Sequence, residues 1–164
     1  MTIHPILRYP DPRLAAPCHL VEVFDEELKS LVQDLLETMK AAPGVGITAA
    51  HIGISKRVSV IALDPGEPVH IHINPQILWS STDRQRFIEG SVAMPGMTEE
   101  VDRPAKIRFR YQGLDGVAQE AEADGFLATC IQHEVDQLDG VFWLKRLSRL
   151  KRDRLIRKWE KSAR

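Results

Sequence analysis

The 164-residue sequence contains little cysteine, almost no net charge and no long apolar run. Its two cysteines, Cys18 and Cys130, lie too far apart to form a disulfide framework, so we expect reduced thiols. The net charge of -1 creates no overall field that would favour nucleic acid or an anionic membrane. No segment has the form of a signal peptide, and no apolar run reaches the roughly 20 residues that span a bilayer. We therefore expect a cytoplasmic protein that makes no membrane contact.

The helices of the chain are predicted from caps and apolar spacing. A length of 164 residues is typical of one domain, so we expect a single domain over residues 1–164. Apolar residues at helical spacing predict a first helix that starts after an Asp25 cap and stops at Pro43. Two more helices are expected, from about Asp124 to Leu138 and from about Ser148 to Lys161. The Pro-rich first 24 residues are expected to lie on the body as an extended arm.

Strands are predicted in the middle of the chain. Arg57–Leu63 and Val69–Ile73 have strand composition, and the second is expected to end at Asn74-Pro75. Lys106–Tyr111 alternates and is expected to pair, across a Gly-containing turn, with Ala118–Ala123. Helices placed around a central group of strands favour an α+β fold over alternating βαβ units.

The helix predicted over 124–138 contains His133-Glu134, which is half of the zinc-hydrolase pattern H-E-x-x-H. In that pattern, two histidines one helical turn apart bind the metal, and the glutamate between them handles the proton. The second histidine position is Gln137 here. His-Glu pairs are common in helices, so this pair alone more often indicates a polar helix face than a metal site.

Two other segments, Gly44–Gly53 and Glu89–Gly96, are rich in small residues. The first is too apolar for a phosphate loop and lacks the Lys-Ser/Thr that would follow. Small residues here indicate a close approach of the backbone to a neighbouring strand or to a ligand. The second segment has the composition of an exposed loop.

Taken in order, these three segments resemble the peptide deformylase family, whose members remove the formyl group from nascent N-formylmethionyl chains. Gly44–His51 resembles the family's G-V-G-L-A-A-P-Q, Glu89–Gly96 resembles E-G-C-L-S-x-P-G, and Gln132–Gly140 resembles Q-H-E-x-D-H-L-x-G. Shorter features that agree are Tyr9–Leu14, Asn74-Pro75, Arg103-Pro104 and Phe142–Leu147. The resemblance implies a peptide deformylase-like α+β fold, with small antiparallel sheets around a central motif helix, an N-terminal helix and a C-terminal helix.

The resemblance also implies roles for individual residues. The family's metal ligands, one cysteine and two histidines, correspond to Ser91, His133 and Gln137. Glu134 stands at the position of the general acid/base, and His51 replaces the glutamine that stabilises the oxyanion. The positions implied to contact a peptide substrate are Gly44, Val45, Gly46, Gly90, Val92 and Arg103.

Two of the three metal-ligand positions are thus replaced. A serine hydroxyl is much harder to ionise than a thiol, and the amide oxygen of Gln137 suits calcium or magnesium better than iron or zinc. We therefore expect a deformylase-like protein with little or no deformylase activity that binds N-terminal peptides. We expect no cofactor, and any metal that did bind would be iron, zinc or nickel.

Three other arrangements stay open. An active metal-dependent hydrolase, acting on a formyl peptide or another amide or ester, could use His51 and His133, with Glu134, in a rearranged site. Ser91 with one of these histidines as base could imitate a metal-free serine hydrolase. Alternatively, Ser91, His51 and Gln137 could fill the site with a neutral hydrogen-bonded network.

The predicted last helix is strongly basic. In the deformylase family a C-terminal helix can dock the enzyme on the ribosome, so the resemblance implies a ribosome contact here. The alternative is an ordinary solvated helix whose apolar face lies on the core. The residues expected on that apolar face are Leu147, Leu150, Leu155, Ile156 and Trp159. The basic residues around it are Arg146, Arg149, Lys151, Arg152, Arg154, Arg157, Lys158, Lys161 and Arg164.

Overall fold

The computed structural model describes residues 2–162, so Arg164 lies outside the described residues. Its α-helices are α1 (Glu26–Ala41), α2 (Gly125–Leu138) and α3 (Arg149–Ser162), and they confirm the predicted helices. Short 3-10 helices lie at Pro12–Ala15, Ala49–Ile52 and Trp143–Arg146. The strands are β1 (Gly46–Thr48), β2 (Val58–Ile61), β3 (His70–Ser80), β4 (Arg84–Gly90), β5 (Thr98–Pro104), β6 (Lys106–Gln112) and β7 (Ala118–Asp124).

Helix α1 forms where the sequence provides both a cap and an apolar face. The Asp25 carboxylate accepts a hydrogen bond from the Leu28 amide at 3.1 Å, which pairs one of the free amides of the first turn. The buried apolar face consists of Leu28, Leu31, Val32, Leu35 and Met39. The chain leaves the helix at Gly44, whose amide donates to the Met39 carbonyl at 2.8 Å.

Two antiparallel sheets frame α2. The larger sheet has the strand order β1-β2-β3-β6-β7, and the smaller sheet pairs β4 with β5. The predicted hairpin is confirmed by β6 and β7, in which Phe109 faces Ala121 across the ladder. Helix α2 lies against strands of both sheets, and most of its residues are buried. The predicted α+β fold, with small antiparallel sheets around the motif helix, is therefore confirmed.

The predicted end of β3 is wrong, because the strand continues through Asn74 and Pro75. The ladder between β3 and β6 shifts register between Ile73 and Gln76, and this bulge accommodates Pro75, which has no amide to donate. Asn74 has a φ of 53°, and its side chain bonds Val21 twice. Its Oδ1 accepts from the Val21 amide at 2.8 Å, and its Nδ2 donates to the Val21 carbonyl at 2.9 Å. The Asn74-Pro75 pair, which is typical of the end of a strand, therefore lies inside β3, and its asparagine attaches the N-terminal arm to the sheet.

The small sheet of β4 and β5 is absent from the sequence prediction. The segment Glu89–Gly96, which is expected to be an exposed loop, begins at the end of β4, and Glu89 and Met94 are buried. The residues that β4 and β5 bury include the charged pair Glu89 and Arg103 as well as Val101. Because charged residues occupy the inner face, the apolar alternation that identifies a strand is missing here.

Helix α3 is attached through its second half. Leu155 and Trp159 are buried, and the Trp159 indole N–H donates to the Tyr9 carbonyl at 3.0 Å. Leu150 is 65% exposed, so its place in the predicted apolar stripe is wrong. Among the helices within residues 2–162, none is long and apolar enough to cross a bilayer.

Candidate functional site

A cleft with a volume of about 320 Å³ opens beside α2. Its walls come from the segment 42–46 after α1, the turn region 88–98 between β4 and β5, and residues 126–134 of α2. His51, from the 3-10 helix after β1, also lines the cleft. Of the predicted peptide-contacting positions, those in the walls are Gly44, Val45, Gly46, Gly90 and Val92.

His51 is held in one tautomer by the backbone. The Thr48 amide donates to His51 Nδ1 at 2.9 Å, so Nδ1 is an acceptor and the proton of the neutral ring sits on Nε2. The side chain is buried, and this burial, aided by the nearby His133, lowers the pKa of His51 to about 3. Among the described residues nothing accepts the Nε2 proton. His51 therefore brings a neutral, unpaired N–H donor to the cleft.

His133 is oriented by a buried carboxylate. Its Nδ1 lies 2.8 Å from Glu89 Oε1, and Glu89 in turn accepts from Arg103 Nε at 2.6 Å and from Arg103 Nη2 at 3.0 Å. Since Glu89 accepts, His133 donates from Nδ1, which leaves Nε2 on the other side of the ring. Burial opposes a proton on His133, but the hydrogen bond to Glu89 and the charges of Glu134 and Glu89 raise its pKa. On the far side of Arg103, Asp136 accepts from Nη1 at 2.9 Å.

Glu134 is the buried acid of the cleft. Its Oε1 lies 3.8 Å from His133 Nε2, beyond hydrogen-bonding distance, and its Oε2 has no partner among the described residues. Burial raises the pKa of Glu134 to about 7. A Cβ at Gly46 would lie 3.0 Å from Glu134 Oε1, so the glycine leaves room for this carboxyl group. This close approach explains why a residue without a side chain occupies position 46.

Ser91 and Gln137 do not join the histidines. The Ser91 hydroxyl accepts from the Ala93 amide at 3.0 Å. Gln137 does not line the cleft, and its Nε2 donates to the Leu14 carbonyl of the N-terminal arm at 2.8 Å. In the described part of the chain no hydrogen bond links Ser91, His51 and Gln137, so the predicted neutral network is wrong. Ser91 is paired with the backbone of the turn instead, and Gln137 is paired with the backbone of the N-terminal arm.

Arg103 does not lie where a substrate contact requires. Its side chain is 4% exposed, it is bound by Glu89 and Asp136, and it faces a separate depression of about 750 Å³. The expectation that Arg103 contacts a peptide in the cleft is therefore not supported, because its guanidinium is fully engaged behind the wall.

Sequence reasoning missed several wall residues. Three of them lie on one face of α2, at spacings of four and three residues: Phe126, Cys130 and His133. The other two could therefore have been predicted from the position of His133. Ile88 gave no such signal, because β4 was not predicted. Glu89 is the first residue of the segment Glu89–Gly96, but its partner His133 lies 44 positions away along the chain. Their pairing is therefore visible only in the folded structure.

Residues 3–153 match the family described as polypeptide deformylase. The chain belongs to the polypeptide deformylase family. A protein of Agrobacterium fabrum named peptide deformylase-like is 58% identical over 162 residues, which cover 99% of this chain and 98% of the relative. A protein of the same organism named peptide deformylase is 45% identical over 168 residues, which cover 100% of this chain and 98% of the relative. The crystal structure of a peptide deformylase from Legionella pneumophila has a TM-score of 0.91 and 38% identity, and the match covers 99% of this chain and 96% of that chain.

The residues at the deformylase ligand positions do not fit iron, zinc or nickel. Such metals favour imidazole and thiolate ligands, and a catalytic zinc normally has three protein ligands. Here Ser91 offers a neutral oxygen, and the amide of Gln137 bonds the arm. Among residues 2–162 there is no group of three His, Cys, Asp or Glu side chains that could hold a metal ion. His51, His133 and Glu134 therefore do not form the rearranged metal site in this structure.

The serine-hydrolase alternative also lacks its central contact. A nucleophilic serine requires a base within hydrogen-bonding distance. In the described part of the chain the Ser91 hydroxyl bonds a backbone amide, and neither His51 nor His133 is its partner.

Proposed function

We propose that this deformylase-family protein binds peptide N-termini in its cleft and has little or no metal-dependent deformylase activity. The observation that carries the proposal is what the residues at the three ligand positions bind. Ser91 bonds the turn and Gln137 bonds the N-terminal arm. Only His133 has a side chain that is a common metal ligand. Without a bound metal, the pKa of water stays far above the value of about 7 that a catalytic metal gives it. The acid/base Glu134 would then have no activated nucleophile to serve.

The shape of the cleft supports the peptide-binding part of the proposal. Val45, Ile88 and Phe126 are 41%, 67% and 39% exposed and line the cleft. Phe126 also packs against Phe87 with ring centroids 5.4 Å apart, which fixes its position. Exposed apolar side chains gathered around a concave site are typical of ligand recognition. An apolar first side chain of a peptide fits these walls.

The relatives support a division of labour. Agrobacterium fabrum has one protein named peptide deformylase-like and another named peptide deformylase. The chain is 58% identical to the first and 45% identical to the second. If the protein named peptide deformylase removes formyl groups in that organism, the cleft of the deformylase-like protein can serve as a binding site.

The deciding experiment combines metal analysis with turnover. The untagged protein, purified without oxygen, is expected to contain only traces of iron, zinc and nickel and to leave a formyl-Met peptide uncleaved. The triple variant Ser91→Cys, Gln137→His, His51→Gln is expected to bind metal and to regain activity. One metal per wild-type chain together with turnover would refute the proposal and favour the rearranged His51–His133 site.

The basic helix α3 supports a second, independent proposal about a partner. Arg149, Arg154, Arg157 and Lys158 are exposed, and exposed Leu150 adds an apolar side chain to the same helix. We propose that this helix docks on the ribosome, through phosphates that need no sequence preference. The fraction of protein that sediments with ribosomes should fall steeply as salt is raised, and it should be lower for an Arg154→Glu, Arg157→Glu variant. Equal binding by the wild type and this variant would refute docking through α3. The free thiols Cys18 and Cys130 fit a cytoplasmic location for this contact.

A further inference from the structure

Two histidines of β3 lie outside the cleft beside α2 and have no role in the proposed function. His70 and His72 are separated by one residue, and alternate residues of a strand point to the same face of a sheet, so the two imidazoles lie side by side. Their ring centroids are 6.0 Å apart and their ring planes meet at 42°. Imidazole is the commonest metal ligand among side chains, so a neighbouring pair is a candidate for a metal site.

His72 has a buried nitrogen without a partner. The residue is 3% exposed, and its Nδ1 forms no hydrogen bond within the described residues. The rings of Phe109 and Tyr111 pack against it, so an apolar side chain would meet these surroundings without burying an unpaired polar atom. Buried polar atoms are nearly always paired, and the unpaired nitrogen of His72 therefore indicates a bound partner that the protein does not supply.

The surroundings hold His72 in place and leave His70 within reach of solvent. The His72 ring packs at a steep angle against Phe109 and Tyr111, with centroids 5.1 and 4.6 Å away. Strand β3 is paired with β2 at this point, where Ser59 lies opposite His72. His70 is partly exposed, so an ion can reach the pair from solvent. One ligand is therefore fixed by packing, and the other is free to turn towards a bound ion.

The separation of the two rings allows them to share one ion. An imidazole nitrogen binds zinc at about 2.1 Å and lies about 1.1 Å from the centre of its ring, so two rings on one ion have centroids no more than roughly 6.4 Å apart. The observed separation of 6.0 Å lies inside this limit. A rotation of the His70 side chain shortens it towards the roughly 5 Å that two ligands of a tetrahedral ion require.

We propose that His70 and His72 together bind one divalent transition-metal ion that favours imidazole ligands, such as Zn²⁺, with water completing its coordination. The site is separate from the positions Ser91, His133 and Gln137. Within residues 2–162 no group of three His, Cys, Asp or Glu side chains could hold a metal, so the site has two protein ligands and exchanges its ion readily. Added zinc, and not zinc retained through purification, is therefore the right probe.

Calorimetric titration of the untagged full chain with Zn²⁺, in a buffer that does not bind metals, tests the inference. The wild type should bind one ion. The variants His70→Gln and His72→Phe should each bind it more than about a hundredfold more weakly, since even the loss of a group that only supports a ligand costs about 10–100-fold. His19→Gln removes an exposed histidine elsewhere on the chain and should bind zinc as the wild type does.

A variant at the deformylase position separates the inference from the proposed function. His133→Gln should keep zinc binding, because His133 lies in the cleft and not beside β3. If the wild type binds no zinc, or if His70→Gln binds it unchanged, the inference is wrong while the proposed function stands. If His133→Gln loses the ion and His70→Gln keeps it, the metal lies in the cleft, and both the inference and the metal-free function fail. Should His72→Phe prove unfolded, His70→Gln decides the question, because His70 is partly exposed.

Discussion

Two buried polar groups meet at α2, and they are built in opposite ways. In the first, Glu89, Arg103 and Asp136 form a chain that ends at the half-exposed Arg146, and each carboxylate meets an arginine at 2.6–3.0 Å. In the second, His51 and Glu134 each leave an atom unpaired beside the cleft. Removal of one partner from a buried pair of charges destabilises the fold, whereas an unpaired buried polar atom that faces a cleft can take its partner from a ligand.

The largest effect is expected from breaking the paired group. Arg103→Met should lower the free energy of unfolding by roughly 3–5 kcal/mol, because it removes the arginine that pairs with the buried carboxylate of Glu89 and one of the two arginines that pair with Asp136. Urea unfolding measures this loss. Arg84→Met is the control: its pair with Asp102 is about half exposed and should contribute no more than about 1 kcal/mol. Similar losses in the two variants would contradict the view that the buried chain of charges is structural.

A third buried polar residue, His72, should make the stability depend on acid. Its Nδ1 has no hydrogen-bond partner among the described residues, and His72 does not line the cleft beside α2. Burial, together with His70, lowers the pKa of His72 from 6.5 to about 4. The unfolded chain therefore binds this proton more readily than the folded one, and stability should fall by about 3 kcal/mol as the pH drops from 6.5 to 4.

The variant His72→Phe tests this contribution, because phenylalanine suits the contacts with Phe109 and Tyr111. Its free energy of unfolding should depend less on pH over that range, as measured by urea unfolding at several pH values. Exposed His19→Gln should keep the wild-type slope. An unchanged slope in His72→Phe would assign the acid sensitivity to other groups.

A smaller loss of stability is expected at Gln137. Gln137→Leu should cost about 1–2 kcal/mol, since it removes the hydrogen bond to Leu14 in a buried place. Gln137→Asn, which keeps the amide but shortens its reach, serves as the comparison and should lose a similar amount. Thermal unfolding gives the loss, and faster proteolysis near Leu14 would locate it in the arm. Wild-type stability in Gln137→Leu would mean that the amide has no structural role.

The smallest change is expected at the unpaired acid. Glu134→Gln should leave the free energy of unfolding at pH 8 within about 1 kcal/mol of wild type or slightly higher, because no folded partner is lost. The result is read against Arg103→Met in the same urea experiment. A loss as large as that of Arg103→Met would show that Glu134 is paired in solution, and the contrast between the two groups would disappear.

Much of the fold was predictable because its signals are local. The Asp25 cap and the apolar spacing of α1 lie within a few residues of each other, and the β6–β7 hairpin follows from alternation across a short turn. The small sheet was not predictable in this way. Its inner face carries Glu89 and Arg103, whose burial makes sense only when the two strands and α2 are brought together.

The site shows the same limit. The motif residues gave the right segments, and His51, Ser91, His133 and Glu134 all line the cleft. The direction of Gln137 could not be read from the sequence, because its partner is a backbone carbonyl 123 positions away. A motif fixes where a residue stands along the chain, and the packing of distant segments decides which way its side chain points.

The hydrogen bond from Gln137 to Leu14 has a consequence for any change at position 137. Gln137 attaches the N-terminal arm to α2, and the same arm is held near His51, where the Leu7 amide donates to the His51 carbonyl at 2.8 Å. A change of Gln137 to histidine would remove the amide that donates to Leu14, and position 91 would still carry a serine. The amide of Gln137 therefore gives this position a structural role in the chain that is separate from any role in metal binding.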